Sequence, residues 1–125
     1  MIQKQVIDEA DAILAAVVDG MQEKKGRAIV SLEFSEMPNA LCDYFVICHG
    51  MSRVQAEAIA EGVEDSVRSK TGARPWNREG FENAEWILLD YVNVVVHIFQ
   101  ENVREFYQLE KLWADAPSRD YRSDH

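Results

Sequence analysis

The chain has 125 residues, 47% of them hydrophobic and 28% charged, and its formal net charge is −9 at pH 7. This length predicts one domain around a single core. The negative charge argues against a domain that binds nucleic acid through its phosphates, and it favours either a basic protein partner or simply solubility. No apolar run approaches the roughly 20 residues that span a bilayer, and the N-terminus has no cationic start followed by an apolar block, which argues against a secretory signal.

The first half of the chain shows the spacing of one helix and two strands. Apolar residues at helical spacing predict a helix over residues 3–22, which EKKG would end. In RAIVSLEF, Val30, Leu32 and Phe34 alternate with polar residues, which predicts a strand with one buried face. After a loop over SEMPNALC, the segment DYFVICHG is apolar on both faces, and we expect it at the centre of a sheet.

A second helix is predicted to begin at SRVQ. Ser52 can cap its first turn and Gln55 can reach back toward the same turn, and Gly72 would end it. Its buried stripe is predicted to be Ala56, Ile59, Ala60, Val63 and Val67. The following loop, ARPWNREGFENA, is expected to hold a short edge strand near residues 74–76, because Pro75 suits an edge and not a central strand.

The two cysteines, Cys42 and Cys48, are predicted to be free thiols. On one extended segment they would lie about 20 Å apart, whereas a disulfide needs Cα atoms within about 7 Å. Their spacing is not that of a zinc site. They indicate a reducing compartment, here the cytoplasm, and we expect no cofactor and no metal.

Residues 85–100, EWILLDYVNVVVHIFQ, are interpreted as two strands joined by Val92 and Asn93. In that register Trp86 lies opposite Phe99. One face is then apolar apart from a phenol and belongs on the core: Ile87, Leu89, Tyr91, Val94, Val96 and Ile98. The other face is mixed: Trp86, Leu88, Asp90, Val95, His97 and Phe99.

The mixed face is expected to be a binding surface. Asp90 and His97 are diagonal neighbours within reach of a charge-assisted hydrogen bond, and Trp86 and Phe99 form a cross-strand aromatic pair. A face that is solvated in the free protein and buried in a complex would explain both the aromatic and the polar side chains. Interface centres favour aromatic side chains with a few satisfied polar groups. The alternative is that the last helix covers this face and that Asp90 and His97 are a structural pair.

The segment NVREFYQLEKLW predicts a last helix over residues 102–113. Four apolar side chains are expected to cluster on one side of it: Phe106, Leu109, Leu112 and Trp113. Of these, Phe106 and Leu112 are expected to close the core. Three side chains are candidates to extend the partner face: Tyr107, Leu109 and Trp113. An exposed apolar patch there would also let the free protein form a homodimer.

The predicted order of elements indicates an α/β fold, a single domain with a mixed β-sheet flanked by helices. We place this domain at residues 1–114. Residues 115–125 are polar and without period, and we predict a disordered tail there.

Three blocks, CDYFVICHGMS, AEWILLDYVNVVVHIF and REFYQLEKLW, resemble the ribosomal silencing factor family (RsfS, or Iojap-like proteins) of bacteria and organelles. The resemblance covers roughly residues 4–113. It implies a nucleotidyltransferase-like core without catalytic residues, and hence a protein that is not an enzyme. It also implies binding to the large ribosomal subunit through its fourteenth protein at the inter-subunit face, where an anti-association factor would block subunit joining and repress translation.

The resemblance carries a partner-binding role onto Trp86, Asp90 and His97, which stand on the mixed face. With less certain roles for the others, the predicted partner-binding set is Trp86, Leu88, Asp90, Tyr91, His97, Phe99, Tyr107, Leu109 and Trp113. The chain departs from the family at the hairpin turn, where Val92 and Asn93 stand in place of a frequent Gly-Asp pair. No direct contact with nucleic acid or membrane is expected.

Two enzymatic alternatives have little support in the sequence. An active nucleotidyltransferase needs a Gly-Ser turn after a strand and neighbouring carboxylates that hold magnesium. HGMS resembles such a turn only faintly, and Glu85 and Asp90 are an odd number of residues apart, which points them to opposite faces. A metal site or hydrolase built on His49 and His97 has no supporting ligand or triad spacing.

Overall fold

The computed structural model describes the backbone of residues 2–121 and the side chains of residues 9–121. The elements in that range are α1 (Ile2–Glu23), β1 (Arg27–Glu33), β2 (Tyr44–Gly50), α2 (Arg53–Thr71), β3 (Asn77–Glu79), β4 (Trp86–Asp90), β5 (Val94–Gln100), α3 (Glu101–Tyr107), α4 (Leu109–Leu112) and β6 (Ser118–Tyr121). They form a single α/β domain, as predicted. None of the helices within residues 2–121 has the length and apolarity that a membrane span requires.

The sheet described by residues 2–121 has six strands in the order β3-β4-β5-β2-β1-β6. β2 and β5 pair in parallel at its centre, and the neighbouring pairs are antiparallel. The prediction that β2 is a central strand is therefore confirmed. A central strand loses solvent on both faces, which is why this segment alternates little between apolar and polar residues.

Helices α1 and α2 pack together on one face of the sheet and enclose the main core. The predicted stripe of α2 is fully buried there. At the start of α2, the Gln55 N–H donates to Ser52 Oγ at 3.1 Å, and Gln55 Oε1 accepts from the Met51 N–H at 2.7 Å. Gly72 ends the helix with φ +78°, a conformation that glycine adopts without steric cost.

The predicted register of the β4–β5 hairpin is confirmed. Trp86 pairs with Phe99, Leu88 with His97, and the intervening pairs follow in step. The six side chains assigned to the core face are all buried: Ile87, Leu89, Tyr91, Val94, Val96 and Ile98. The side chains of this hairpin therefore alternate between the two faces of the sheet as the sequence predicts.

Strand β1 differs from its prediction, because it has buried residues on both faces. Ile29 belongs to the core under α1 and α2. Leu32 and Phe34 belong to a second cluster on the opposite face. A strand with one buried face was therefore the wrong prediction. Leu32 and Phe34 are buried on the predicted face, and α1 and α2 bury Ile29 on the other face as well. The edge strand is also displaced and begins at Asn77, after Pro75.

The C-terminal helix also differs from its prediction. It divides at Gln108, which adopts φ +48°, so α3 and α4 present different faces. Phe106 and Leu112 are 79% and 71% exposed, and the expectation that they close the core is wrong. Leu109 is buried against the sheet and takes that place.

The prediction of a disordered tail is wrong for residues 118–121. They form β6, which pairs antiparallel with β1. The Ser31 and Tyr121 hydroxyls lie 2.9 Å apart, and the Glu33 N–H donates to the Pro117 carbonyl at 2.9 Å. Residues 122–125 lie outside the described range.

Candidate functional site

The sheet face opposite α1 and α2 keeps part of its area open near the β4–β5 hairpin. We call this area the open face, and its residues are Phe45, Trp86, Leu88, Asp90, Val95, His97 and Phe99. Trp86, Leu88 and Asp90 are each half-buried, whereas their strand neighbours Ile87 and Leu89 are fully buried on the other side. The predicted mixed face therefore lies on one side of the sheet, where His97 and Phe99 are buried and the β4 residues are half-buried.

Trp86 lies at the centre of an aromatic layer. Its ring centroid is 4.9 Å from that of Phe99, with the planes at 32°, and also 4.9 Å from that of Tyr107, at 50°. Phe99 is fully buried and Tyr107 is 53% exposed. The layer therefore runs from the sheet to the surface, and Tyr107 joins it as predicted from the last helix.

Phe45 continues the layer across β5 onto β2. Its ring lies 4.5 Å from the imidazole of His97 and 4.7 Å from the ring of Phe34, both in edge-on geometries. Trp113 approaches the rings of Phe34 at 5.2 Å and Phe45 at 6.2 Å. Edge-on contacts at these distances are favourable. Phe45 was not among the predicted site residues, although the apolar character of both faces of β2 was the available signal.

His97 lies beneath Trp86 and bonds to it. The indole Nε1–H donates to His97 Nδ1 over 3.1 Å. His97 is only 4% exposed, and burial lowers its pKa from 6.5 to about 4. The imidazole is therefore neutral at pH 7, with its hydrogen on Nε2. That buried Nε2 has no hydrogen-bond acceptor within residues 9–121.

The expected hydrogen bond between Asp90 and His97 is not formed, so that prediction is wrong. Asp90 Oδ1 accepts from the backbone N–H of Val92 at 2.7 Å and so closes the hairpin turn. A carboxylate two residues before a turn amide reaches it more readily than a side chain across the strands does. Val92 itself adopts φ +74°. Oδ2 of Asp90 receives no side-chain or turn hydrogen bond from residues 9–121.

The structure separates the predicted partner-binding residues by accessibility. Trp86, Leu88 and Asp90 are half-buried on the open face, and Tyr107 and Trp113 are exposed beside it. Three support the surface from below: His97, Phe99 and Leu109. Tyr91 lies on the core face among the helices, because it is an odd number of residues from Trp86, and it does not belong to the open face.

The last helices cover only one end of this face. Leu109 and Phe99 belong to the same buried cluster, which also includes Ile47 and Leu32. The alternative that the C-terminal segment seals the mixed face is therefore correct for the Phe99 end. It does not hold for the part that includes Leu88, which remains half-buried.

A buried ion cluster sets the geometry of α3 and α4. Arg104 donates through Nη2 and Nε to Glu110 Oε2, at 2.6 and 3.0 Å, and its Nη1 lies 2.9 Å from His49 Nδ1. Burial and the Arg104 charge lower the pKa of His49. The cluster borders a cavity of about 380 Å³. It joins α3 to α4 across the turn at Gln108, next to Tyr107, and sequence reasoning missed it because both charged residues resembled a solvated helix face.

The residues considered for metal or thiol chemistry are held by other contacts. Within residues 9–121, no three His, Cys, Asp or Glu side chains are grouped so that they could hold a metal ion. His49 contacts Arg104, and His97 contacts Trp86. Cys42 and Cys48 are free, as predicted, and burial raises the pKa of the Cys48 thiol to about 12.

The chain is a single-domain α/β protein with a mixed six-stranded sheet, one face of which carries the half-buried side chains of Trp86, Leu88 and Asp90. The family model described as "Ribosomal silencing factor during starvation" matches residues 7–125. The chain belongs to this ribosomal silencing factor family, which confirms the resemblance.

Relatives and solved structures agree with this assignment. The ribosomal silencing factor RsfS of Bacillus subtilis (strain 168) is 38% identical over 109 residues, 87% of this chain and 91% of that protein. The chloroplastic protein Iojap of Arabidopsis thaliana is 36% identical over 73 residues, 58% of this chain and 30% of that protein.

Two solved structures share the fold. A crystal structure of a Bacillus halodurans protein has a TM-score of 0.72 at 37% identity and covers 86% of this chain and 96% of its own. An X-ray structure of a Chromobacterium violaceum protein has a TM-score of 0.75 at 30% identity and covers 82% of this chain and 83% of its own.

Proposed function

We propose that this ribosomal silencing factor binds the large ribosomal subunit through its fourteenth protein, at the face that meets the small subunit. Bound there, it blocks subunit joining by occupying space, and translation falls. The proposal requires no catalysis, no direct contact with nucleic acid and no membrane, and it places the protein in the cytoplasm.

The observation that carries the proposal is the half-buried state of Trp86 on an otherwise ordered sheet. Its ring is held from below by Phe99 and from the side by Tyr107. A large aromatic ring that is fixed before binding contributes contact area at little further entropic cost. Tryptophan rings that pack into a surface patch in this way are typical binding hot spots.

Charge supports a basic protein as the partner. The chain carries a net charge of −9, and complementary charge raises the rate of association between proteins. On the open face, Asp90 offers its second carboxylate oxygen to an Arg or Lys of the partner, since the first is bonded to the Val92 N–H.

The exposed side chains of Phe106 and Leu112 support a second, weaker proposal. They extend the apolar surface beyond Tyr107, and an unpartnered patch of this kind favours self-association. We propose that the free protein forms a homodimer that competes with ribosome binding. Sedimentation velocity at several concentrations tests it, because a Phe106→Ser variant should stay monomeric where the parent protein associates.

Sucrose-gradient sedimentation tests the main proposal. Purified large and small subunits are mixed with and without the protein under conditions that favour joining. We expect the protein to migrate with large subunits and the joined-ribosome peak to shrink as its concentration rises. Co-migration with small subunits alone, or an unchanged joined peak with large subunits saturated, would count against it.

A further inference from the structure

We infer that His97 is a positioning residue, whose Nδ1 holds the Trp86 indole in the orientation that the ribosomal partner meets. The inference rests on the proposed function and specifies how its central anchor is prepared. His97 is not exposed and does not itself touch a partner. It acts through the indole above it.

The first step is the direction of the bond. An indole has a single N–H donor, so an acceptor at a fixed position fixes the plane and the edge of the ring. Trp86 Nε1 lies 3.1 Å from His97 Nδ1. Phe99 and Tyr107 pack against the ring, and the hydrogen bond of its N–H goes to His97. The imidazole therefore fixes the direction in which the indole N–H points.

The second step is that the acceptor is itself immobile. The His97 ring is in edge-on contact with Phe45 at 4.5 Å and lies nearly parallel to the Phe99 ring, at 15° and 6.5 Å. Because Nδ1 accepts a hydrogen bond, Nε2 carries the hydrogen, and a single tautomer is selected. The sheet residues therefore fix the imidazole of His97, and the imidazole fixes the indole of Trp86.

The third step explains why an imidazole occupies this site. Its Nε2–H is buried without an acceptor in the described part of the chain, and an unsatisfied buried donor lowers the stability of the fold. An apolar side chain would fill the position without that penalty, as Ile98 and Val96 do on the same strand. Packing alone therefore does not account for His97, whereas the Nδ1 acceptor gives it a role.

Two variants separate positioning from packing. His97→Leu keeps volume but removes the acceptor, whereas His97→Asn keeps an amide oxygen near the place of Nδ1. The first readout is the indole ¹H–¹⁵N resonance of Trp86, assigned by its disappearance in Trp86→Phe. The second is affinity for isolated large subunits, measured on gradients with the full-length protein.

We expect His97→Leu to shift the Trp86 indole resonance upfield, to speed its exchange with solvent, and to weaken binding roughly tenfold, the usual cost of ordering one large side chain at an interface. His97→Asn should restore most of both losses. A leucine variant with a displaced resonance but unchanged affinity overturns the inference, and so does a resonance that does not move.

Trp86→Phe provides an independent route if His97→Leu does not fold. It removes the donor and leaves His97 in place, and we expect a comparable loss of affinity with the fold retained. Binding equal to that of the parent protein would overturn the inference. If the parent protein itself fails to bind large subunits, the proposed function falls, while the resonance of Trp86 still reports separately whether the bond to His97 exists.

Discussion

Trp86 and Phe99 face each other across the β4–β5 hairpin with ring centroids 4.9 Å apart, one ring half-exposed and the other fully buried. The buried ring belongs to a cluster of the sheet and the C-terminal segment. The exposed ring is therefore fixed by a rigid neighbour. A surface prepared in this way loses little conformational freedom when it binds.

Replacing Trp86 by alanine should weaken binding to large subunits by about 2 kcal/mol or more, because the anchor of a patch contributes most of its energy. The measurement is a gradient titration, with circular dichroism to show that the fold is kept. Val54→Ala is the matched control, since Val54 is an exposed apolar residue on α2, at the opposite face of the sheet. Equal binding by both variants would contradict the assignment of the open face.

Asp90 has two tasks that substitution can separate. Asp90→Asn keeps an oxygen for the Val92 N–H but loses the charge, so stability should change little while affinity falls by about 1 kcal/mol. Asp90→Ala should lose the turn hydrogen bond as well, at a further cost of about 1 kcal/mol in unfolding free energy. Urea denaturation and gradient titration measure the two effects. An asparagine variant that binds normally at low salt would exclude a charged contact.

Val92→Gly should stabilise the protein by about 1 kcal/mol. Val92 adopts φ +74°, which is strained for a β-branched residue and free of that strain for glycine. Urea denaturation measures the change. Asn93→Gly is the control: Asn93 is not among the residues with positive φ, so glycine there adds only disorder to the unfolded chain and should destabilise. The prediction fails if both variants shift the midpoint in the same direction.

Stability should fall as the pH drops from about 6.5 toward 4. Burial lowers the pKa of folded His97 to about 4, from the ordinary 6.5 of an exposed histidine. In this window the unfolded chain binds a proton that the folded chain excludes, so acid favours unfolding, by up to about 3 kcal/mol across the window at roughly 1.4 kcal/mol per unit. His49, whose pKa is also lowered, adds in the same direction.

The measurement for this pH effect is urea denaturation at half-unit steps of pH, for the parent protein and for His97→Asn. The variant lacks the titrating ring and should lose stability less steeply between pH 6.5 and 4.5. Parallel curves for the two proteins would show that His97 titrates normally in the folded state.

The hairpin was predictable because its pattern is local and redundant. Six apolar side chains at period two fix the face, and any slip by one residue would bury Asp90. The bonds of Asp90 and His97 were not predictable from spacing, because each group had a nearer competitor. The Val92 N–H lies two residues from Asp90, and the indole of Trp86 lies above His97.

The C-terminal segment was predicted less well, since its structure depends on distant partners. The break at Gln108 involves neither glycine nor proline, and it adjoins the Arg104–Glu110 pair, whose burial the local sequence does not show. β6 is a short, largely polar strand, and it is ordered because it pairs with the edge of β1. Such pairing between remote segments leaves no local hydrophobic period to detect.

The parallel pairing at the centre of the sheet determines how late in folding the aromatic layer is completed. Tyr44 pairs with Val94, fifty positions later, and Phe45 reaches His97 only through that contact. Closing so long a segment is slow compared with forming a hairpin. A chain still in synthesis therefore holds no finished aromatic layer until β5 and Tyr107 have emerged, which places completion of this surface late in synthesis.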